Sequence, residues 1–321
     1  MKPARSLAWI FLLLMCACSL TQAPVGSPSS KQVGGWKEGQ IIETTTGKII
    51  PLDELVRRIR QQEVVYFGEE HHNQFHIEAA LAVLTPLTDA GRRPIVAMEM
   101  FGWESQPILD RYVKEDLGRR EFVEQVGWKR NWGGPFEDYE PLVSYAKVHE
   151  LSLIALNPPK PLIRLVAKDG LVQARLHQEW VRWGMEGETI VDDPMYRRRL
   201  VGQLRACHDG GSDAMYESMY EASMVRDEGM AKTIVAALQS SKGSEGGLVV
   251  SYTGGGHIQY GLPIPKRVAR RRSGQIRQTT IYMTAYEPGR LEEIGDMIDG
   301  RIADYVWLTP VSSHGPPRRC R

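Results

Sequence analysis

Val64-Val65-Tyr66-Phe67-Gly68 runs directly into Glu69-Glu70-His71-His72. Far along the chain, Leu248-Val249-Val250-Ser251-Tyr252-Thr253 runs into Gly254-Gly255-Gly256-His257 in the same way. Short β-branched and aromatic runs broken by glycine read as buried strands of a parallel sheet. In open α/β sheets, ligands bind just beyond the carboxyl ends of the strands. Both histidine groups are therefore expected at one edge of one sheet. Two further runs agree: Pro94-Ile95-Val96-Ala97-Met98 ends in Glu99, and residues 151–156 end in Asn157. Any single strand stops at a polar residue without functional reason. Four that deliver Glu, His and Asn to the same end point to a polar cluster.

The rest of the chain completes an α/β reading, with a central, mainly parallel sheet flanked by helices. Residues 72–84 carry Phe75, Ala79 and Val83 at helical spacing, which places His72 and His76 on one helix face near its start. That pair suits a haem or metal pocket, with a polar helix cap as the plain alternative. Residues 161–239 are helical in pattern with few strand signals, so a helical insertion over one end of the sheet is expected. Met215, Met219 and Met224, with Tyr216 and Tyr220, read as core of that insertion. The aromatic residues Trp103, Trp128, Trp132, Phe136 and Tyr139 also read more readily as core than as a planar-ligand site. Residues 279–286 and 304–308 read as two late strands.

The chain has 321 residues, a formal charge of +1 and 42% hydrophobic residues. That length buries a large core. The near-zero charge argues against a nucleic-acid partner, which calls for a basic surface. The basic run 267–277 reads as a solvated turn between strands, or else as a site for carboxylates or lipid head groups. At the start, Lys2 and Arg5 precede a short apolar core at 7–15, far less than the ~20 residues of a membrane span. Met15-Cys16-Ala17-Cys18 resembles a bacterial lipoprotein cleavage box, with ordinary secretion and cleavage near Ala23 as the alternative. The expected organisation is a signal peptide at 1–17, a lipid-anchored flexible tether at 18–35, and one domain at 36–321 with its insertion at about 161–239. Cys18 would carry the lipid, and Ser19 after it fits outer-membrane sorting in the bacterial envelope. Cys207 and Cys320 remain, free to pair in an oxidising compartment.

Taken in order, Gly68-Glu69-Glu70-His71, Met98-Glu99-Met100-Phe101, Asn157-Pro158, Arg226-Asp227-Glu228-Gly229-Met230-Ala231, and Gly255-Gly256-His257 with Gly261-Leu262-Pro263-Ile264-Pro265 resemble the ChaN-type haem-binding uptake lipoproteins. These sit in a wider group with the Tiki and TraB-like proteins. The resemblance runs from about Gly47 to Pro310. It implies an α/β fold, haem binding in a homodimer, a part in iron acquisition, and an outer-membrane haem receptor as a further partner. The Tiki resemblance implies a second reading, a metal-dependent protease built on a Glu/His pair. Here Glu70 and His72 crowd the first motif, which leaves open whether His71 or His72 faces the site.

Haem binding needs an axial ligand, an apolar slot and partners for two propionates. A tyrosine phenolate resembles the ligation of catalase. A free phenol titrates near ~10, so populating phenolate at pH 7 costs about 4 kcal/mol, which iron coordination offsets. Tyr260, three residues after His257, is the expected ligand, with Tyr252 and Tyr139 as rivals. His257, His72, His76 or the arginines near 270 would assist. In the hydrolase reading, Glu69, His71 and His257 would hold a divalent metal such as Mn or Zn, and Glu69 or Glu99 would act as base. No G-x-S-x-G elbow and no H-E-x-x-H helix occurs.

Overall fold

A computed structural model describes residues 35–208, 210–240 and 247–316. Strands β1 (Ile41–Glu43), β2 (Lys48–Ile50), β3 (Val64–Glu69), β4 (Ile95–Gly102), β5 (Leu153–Asn157), β6 (Val249–Gly254), β7 (Gln278–Ala285) and β8 (Tyr305–Thr309) form one sheet in the order β2-β1-β8-β7-β3-β6-β4-β5. Neighbours from β8 through β5 are parallel, while β1, toward the other edge, pairs antiparallel with both β2 and β8. This is the mainly parallel α/β sheet expected from the sequence. The two hairpin strands were not anticipated. At three residues each they are too short to show an alternation.

The helices are α1 (Leu52–Ile59), α2 (Gln74–Asp89), α3 (Gln106–Val113), α4 (Arg119–Gln125), α5 (Trp128–Asn131), α6 (Glu140–Val148), α7 (Lys160–Ala174), α8 (Gln178–Arg182), α9 (Pro194–Cys207), α10 (Asp213–Ser240), α11 (Ile264–Arg271) and α12 (Leu291–Asp299). Side chains alternate along each strand, so a sheet covered on both faces feeds two cores. Val65 and Phe67 of β3 pack with Ile77, Ala80 and Leu84 of α2 and Leu142 of α6. Val64 and Tyr66 face the other way, against Met230, Ala231 and Ile234 of α10. Residues 160–240 carry helices α7 to α10 and, among the described residues, no strand, as expected. The second half of α10 lies on the sheet face, while Val225 and Ala222 of its first half gather Leu162 and Val166 of α7 and Trp180 of α8.

Three expectations need correction. Asn73 caps α2 by accepting from Phe75 N–H, so His72 precedes the helix and does not share a face with His76. β4 runs on to Gly102, so Glu99 sits inside the strand rather than after it. The basic run is not a solvated turn: it begins in α11, where Arg267, Arg270 and Arg271 converge on the fully buried Glu228. A buried carboxylate is tolerable only when paired, and three guanidinium groups supply the pairing. Those arginines are therefore committed to α10. Cys207 is disulfide-bonded. The signal segment, Cys18, nearly all of the tether and Cys320 lie outside the described residues.

Candidate functional site

Glu69 ends β3 on the α2 face of the sheet, where its carboxylate is buried. Tyr139 donates to its Oε1 and Tyr252 to its Oε2, both at 2.9 Å, and His71 Nδ1 lies 2.7 Å from Oε1. Burial and the Glu69 carboxylate push both phenols above their ordinary range, so they remain O–H donors. The contact to Glu69 makes Nδ1 the protonated nitrogen of neutral His71 and leaves Nε2 with a free lone pair. Burial opposes charging of this imidazole, but Glu69 outweighs it and its pKa is raised. The side chain is 47% exposed, with Trp132 edge-on at 4.9 Å.

A second carboxylate–histidine arm rises from the opposite face. Glu99 accepts from Gly254 N–H at 2.8 Å and faces His257 Nε2 at 3.2 Å. His257 Nδ1 lies 2.6 Å from Asp227 Oδ1 on α10, and Asp227 Oδ2 accepts from Tyr196 O–H at 2.6 Å. Burial alone would discharge the imidazole, yet Glu99 and Asp227 push its pKa up to about 10. Burial likewise opposes ionisation of Glu99, but His257 holds its pKa below the usual range. His257 is thus an imidazolium with both nitrogens donating. It has no lone pair to offer a metal or haem iron.

The two arms meet at Gly254, where an added Cβ would stand 2.7 Å from His71 Cε1 and 3.5 Å from Glu99 Oε2. Beyond them an open cleft of about 710 Å³ lies over the ends of β3, β6 and β7. Its volume is within the range of small-molecule and cofactor sites. His71, His257 and the Gly254–Gly256 shelf line one part; Tyr282, Arg290 and Met297 line another, and Gln203, Ala206 and Cys207 of α9 a third. Burial pushes Tyr282 up to about 12. Arg290 is held by Glu293, Glu287 and Glu70.

Of the residues singled out from sequence, the structure brings Glu69, His71, Glu99 and His257 together. Tyr260 is not among the cleft-lining residues. Its ring lies under the Arg199 guanidinium at 3.5 Å, and its backbone N–H donates to Ile302 O. His72 bonds Asp138 at 2.8 Å, away from the cleft lining. His76 is fully buried, bonded to Glu70 N–H and to Asn73, and burial takes its pKa down to about 3. It is a neutral core histidine. Among the described residues, no group of three His, Cys, Asp or Glu is disposed to hold a metal ion. The sequence reading gave no role to Asp227 or Tyr282. Asp227 had a signal: three charges in a row, Arg226-Asp227-Glu228, flanked by the apolar Met224-Val225 and Gly229-Met230-Ala231 within one helix.

Residues 55–268 match the family described as haem-binding uptake, Tiki superfamily, ChaN. ChaN of Campylobacter jejuni, solved with cofacially bound haem, shares the fold with a TM-score of 0.64 at 17% identity, covering 84% of this chain and 96% of that one. Protein RETICULATA-RELATED 5, chloroplastic, of Arabidopsis thaliana is 22% identical over 277 residues, 78% of this chain. The match spans 35% of that plant protein's length.

Proposed function

The chain belongs to the ChaN family of haem-binding uptake proteins in the Tiki superfamily, and on that premise we propose that it binds haem in the cleft over β3, β6 and β7. The observation that carries this reading is His71, whose Nε2 is left basic and half-exposed by its bond to Glu69. It is the one imidazole nitrogen of the two arms that no carboxylate occupies. The residues present fit the group. Among the described residues Tyr282 is the one tyrosine lining the cleft, and we assign it the phenolate role expected of Tyr260. Met297 and Ala206 supply apolar surface, and Arg290 is the arginine among the lining residues that a propionate would meet. When bound, haem supplies the iron centre and the cargo; Glu69 orients His71, and the Glu99–His257–Asp227 arm fixes the wall.

The cleft is open to solvent, which supports a homodimer in which a second copy would close it over bound haem, as the cofacial arrangement in the Campylobacter protein also does. The lipoprotein box supports attachment to the bacterial outer membrane through Cys18, where a haem receptor would be the exchange partner; Cys18→Ser should then move the protein to the soluble extract.

The deciding experiment is titration of the purified protein with haemin. A saturable shift of the Soret band at equimolar protein, with sedimentation showing a dimer on loading, is the expected result. A spectrum that keeps the free-haemin profile would remove the proposal.

A further inference from the structure

Among the described residues eight large hydrophobic side chains are exposed, and six of them lie between Val172 and Met215, in the helical insertion. A single apolar side chain at the surface is ordinary, but a run of them on one face marks a contact. The most exposed of the six are Leu176 at 80% and Val172 at 73%. They stand one turn apart, because Arg175 keeps helical backbone and its N–H donates to Leu171 O. The segment cannot roll to hide them. α7 breaks at Gly170 (φ +77°), Glu221 of α10 accepts from Leu171 N–H at 2.7 Å, and Ala174 is fully buried on the inner side. Val181 follows on α8, half exposed, next to the buried Trp180.

The same stretch is basic. Residues 164–182 carry Arg164, Lys168, Arg175 and Arg182 against Asp169 and Glu179. The Lys168 side chain is 83% exposed and that of Arg182 67%. The Arg175 and Arg182 guanidinium groups lie over the Trp180 and Trp183 rings, 5.9 and 5.3 Å from their centroids, which sets each cation at the edge of apolar surface. Exposed aliphatic side chains flanked by cations and tryptophan make up the kind of helix face that lies in a layer of lipid head groups. None of these residues lines the haem cleft, so a surface docked here leaves the cleft open.

We propose that the outer face of α7 and α8 docks on an anionic lipid surface. The inference rests on the membrane attachment through Cys18 proposed above, which keeps a bilayer near. Residues 18–35 span at most about 60 Å when fully extended, and a domain of this size has a radius of gyration of about 19 Å. Every face of the domain thus comes within reach of the bilayer, and chemistry selects the one that stays. Tethering also raises the local concentration of lipid, so three aliphatic side chains and a few cations suffice.

Vesicles of phosphatidylcholine and phosphatidylglycerol with brominated acyl chains, which quench a tryptophan that enters them, test this on the full chain. Leu176→Trp adds an emission at an exposed position and should melt like the parent. On vesicle addition that emission should shift to the blue and be quenched beyond the parent's own tryptophans. The effect should weaken in high salt and with phosphatidylcholine alone. Val148→Trp, at a position 77% exposed on α6, should show neither change. A shift that persists in Cys18→Ser would support the face acting without the anchor. A chain that floats with the vesicles while Leu176→Trp stays unshifted would keep the anchor reading and overturn this proposal, as would an equal shift in Val148→Trp. A chain that neither floats nor shifts would overturn both. Self-association of the parent without lipid, lost in Leu176→Ser, would assign the face to a second copy and overturn the proposal too.

Discussion

His257 Nδ1 stands 2.6 Å from Asp227 Oδ1, a contact that ties the glycine loop after β6 to the middle of α10. Glu99 holds the other nitrogen, so a buried cation is balanced by carboxylates from a strand and a helix. Removing one member leaves the others uncompensated, which is costlier than never having built the set.

Stability should therefore fall as alkali discharges His257. Its folded pKa of about 10 lies above the unfolded value near ~6.5. The contribution is fully present below ~6.5 and is lost as pH rises through 10. Urea midpoints are expected to decline steadily from pH 7 to pH 10. Asp227→Asn should lower stability by about 3–5 kcal/mol at neutral pH and flatten that decline. A parent protein equally stable at pH 7 and pH 10 would contradict the assignment.

How much of this was legible in the residues follows from range. The strands carrying Glu69 and His257 announce themselves, because a strand buried on both faces must be apolar throughout and its end is marked by the first charge or glycine. Glu99 was found as a site residue for the same reason, though β4 carries three more residues past it. Tyr260 is favoured by sequence because it stands three positions after His257. Backbone direction decided otherwise: Tyr260 adopts φ +57° and turns under Arg199. Tyr282 was invisible as a site residue because nothing local distinguishes it from its neighbours in β7. It reaches the cleft through the pairing of Gly68 with Tyr282, a register no sequence pattern states.

Glu69→Gln should act on His71 rather than merely on the fold. The neutral amide weakens the acceptor for Tyr139, Tyr252 and His71, with a cost of about 1.5–3 kcal/mol if one charged hydrogen bond is lost. The raised pKa of His71 should fall back toward its ordinary value, read by the imidazole proton shifts in an NMR titration. An unchanged His71 titration in a folded variant would show that Glu69 does not set its protonation.

Tyr282→Phe and Tyr260→Phe separate the two tyrosines by spectrum. With Tyr282 as ligand, its loss should abolish the tyrosinate charge-transfer band of the haemin complex. Tyr260→Phe keeps its ring under Arg199 and should preserve the band. The reverse pattern would return the role to Tyr260 and require the loop after His257 to turn over on binding.

The three glycines before His257 give a graded test of the cleft, because a methyl group meets different neighbours at each. At Gly256 it meets nothing within 4 Å, so Gly256→Ala should stay within about 0.5 kcal/mol of the parent and bind haemin normally. At Gly254 it would press on His71 Cε1 at 2.7 Å. His71 is half-exposed and can swing outward, so the cost there should fall on haemin affinity more than on stability. At Gly255 it would stand 2.5 Å from the Tyr282 ring, which is anchored in β7 and cannot retreat. Overpacking of that kind costs about 1–3 kcal/mol, so Gly255→Ala should lose both stability and the haem spectrum. Urea unfolding and haemin titration on the three variants read the series. Equal behaviour of all three would mean that neither His71 nor Tyr282 touches the bound ligand.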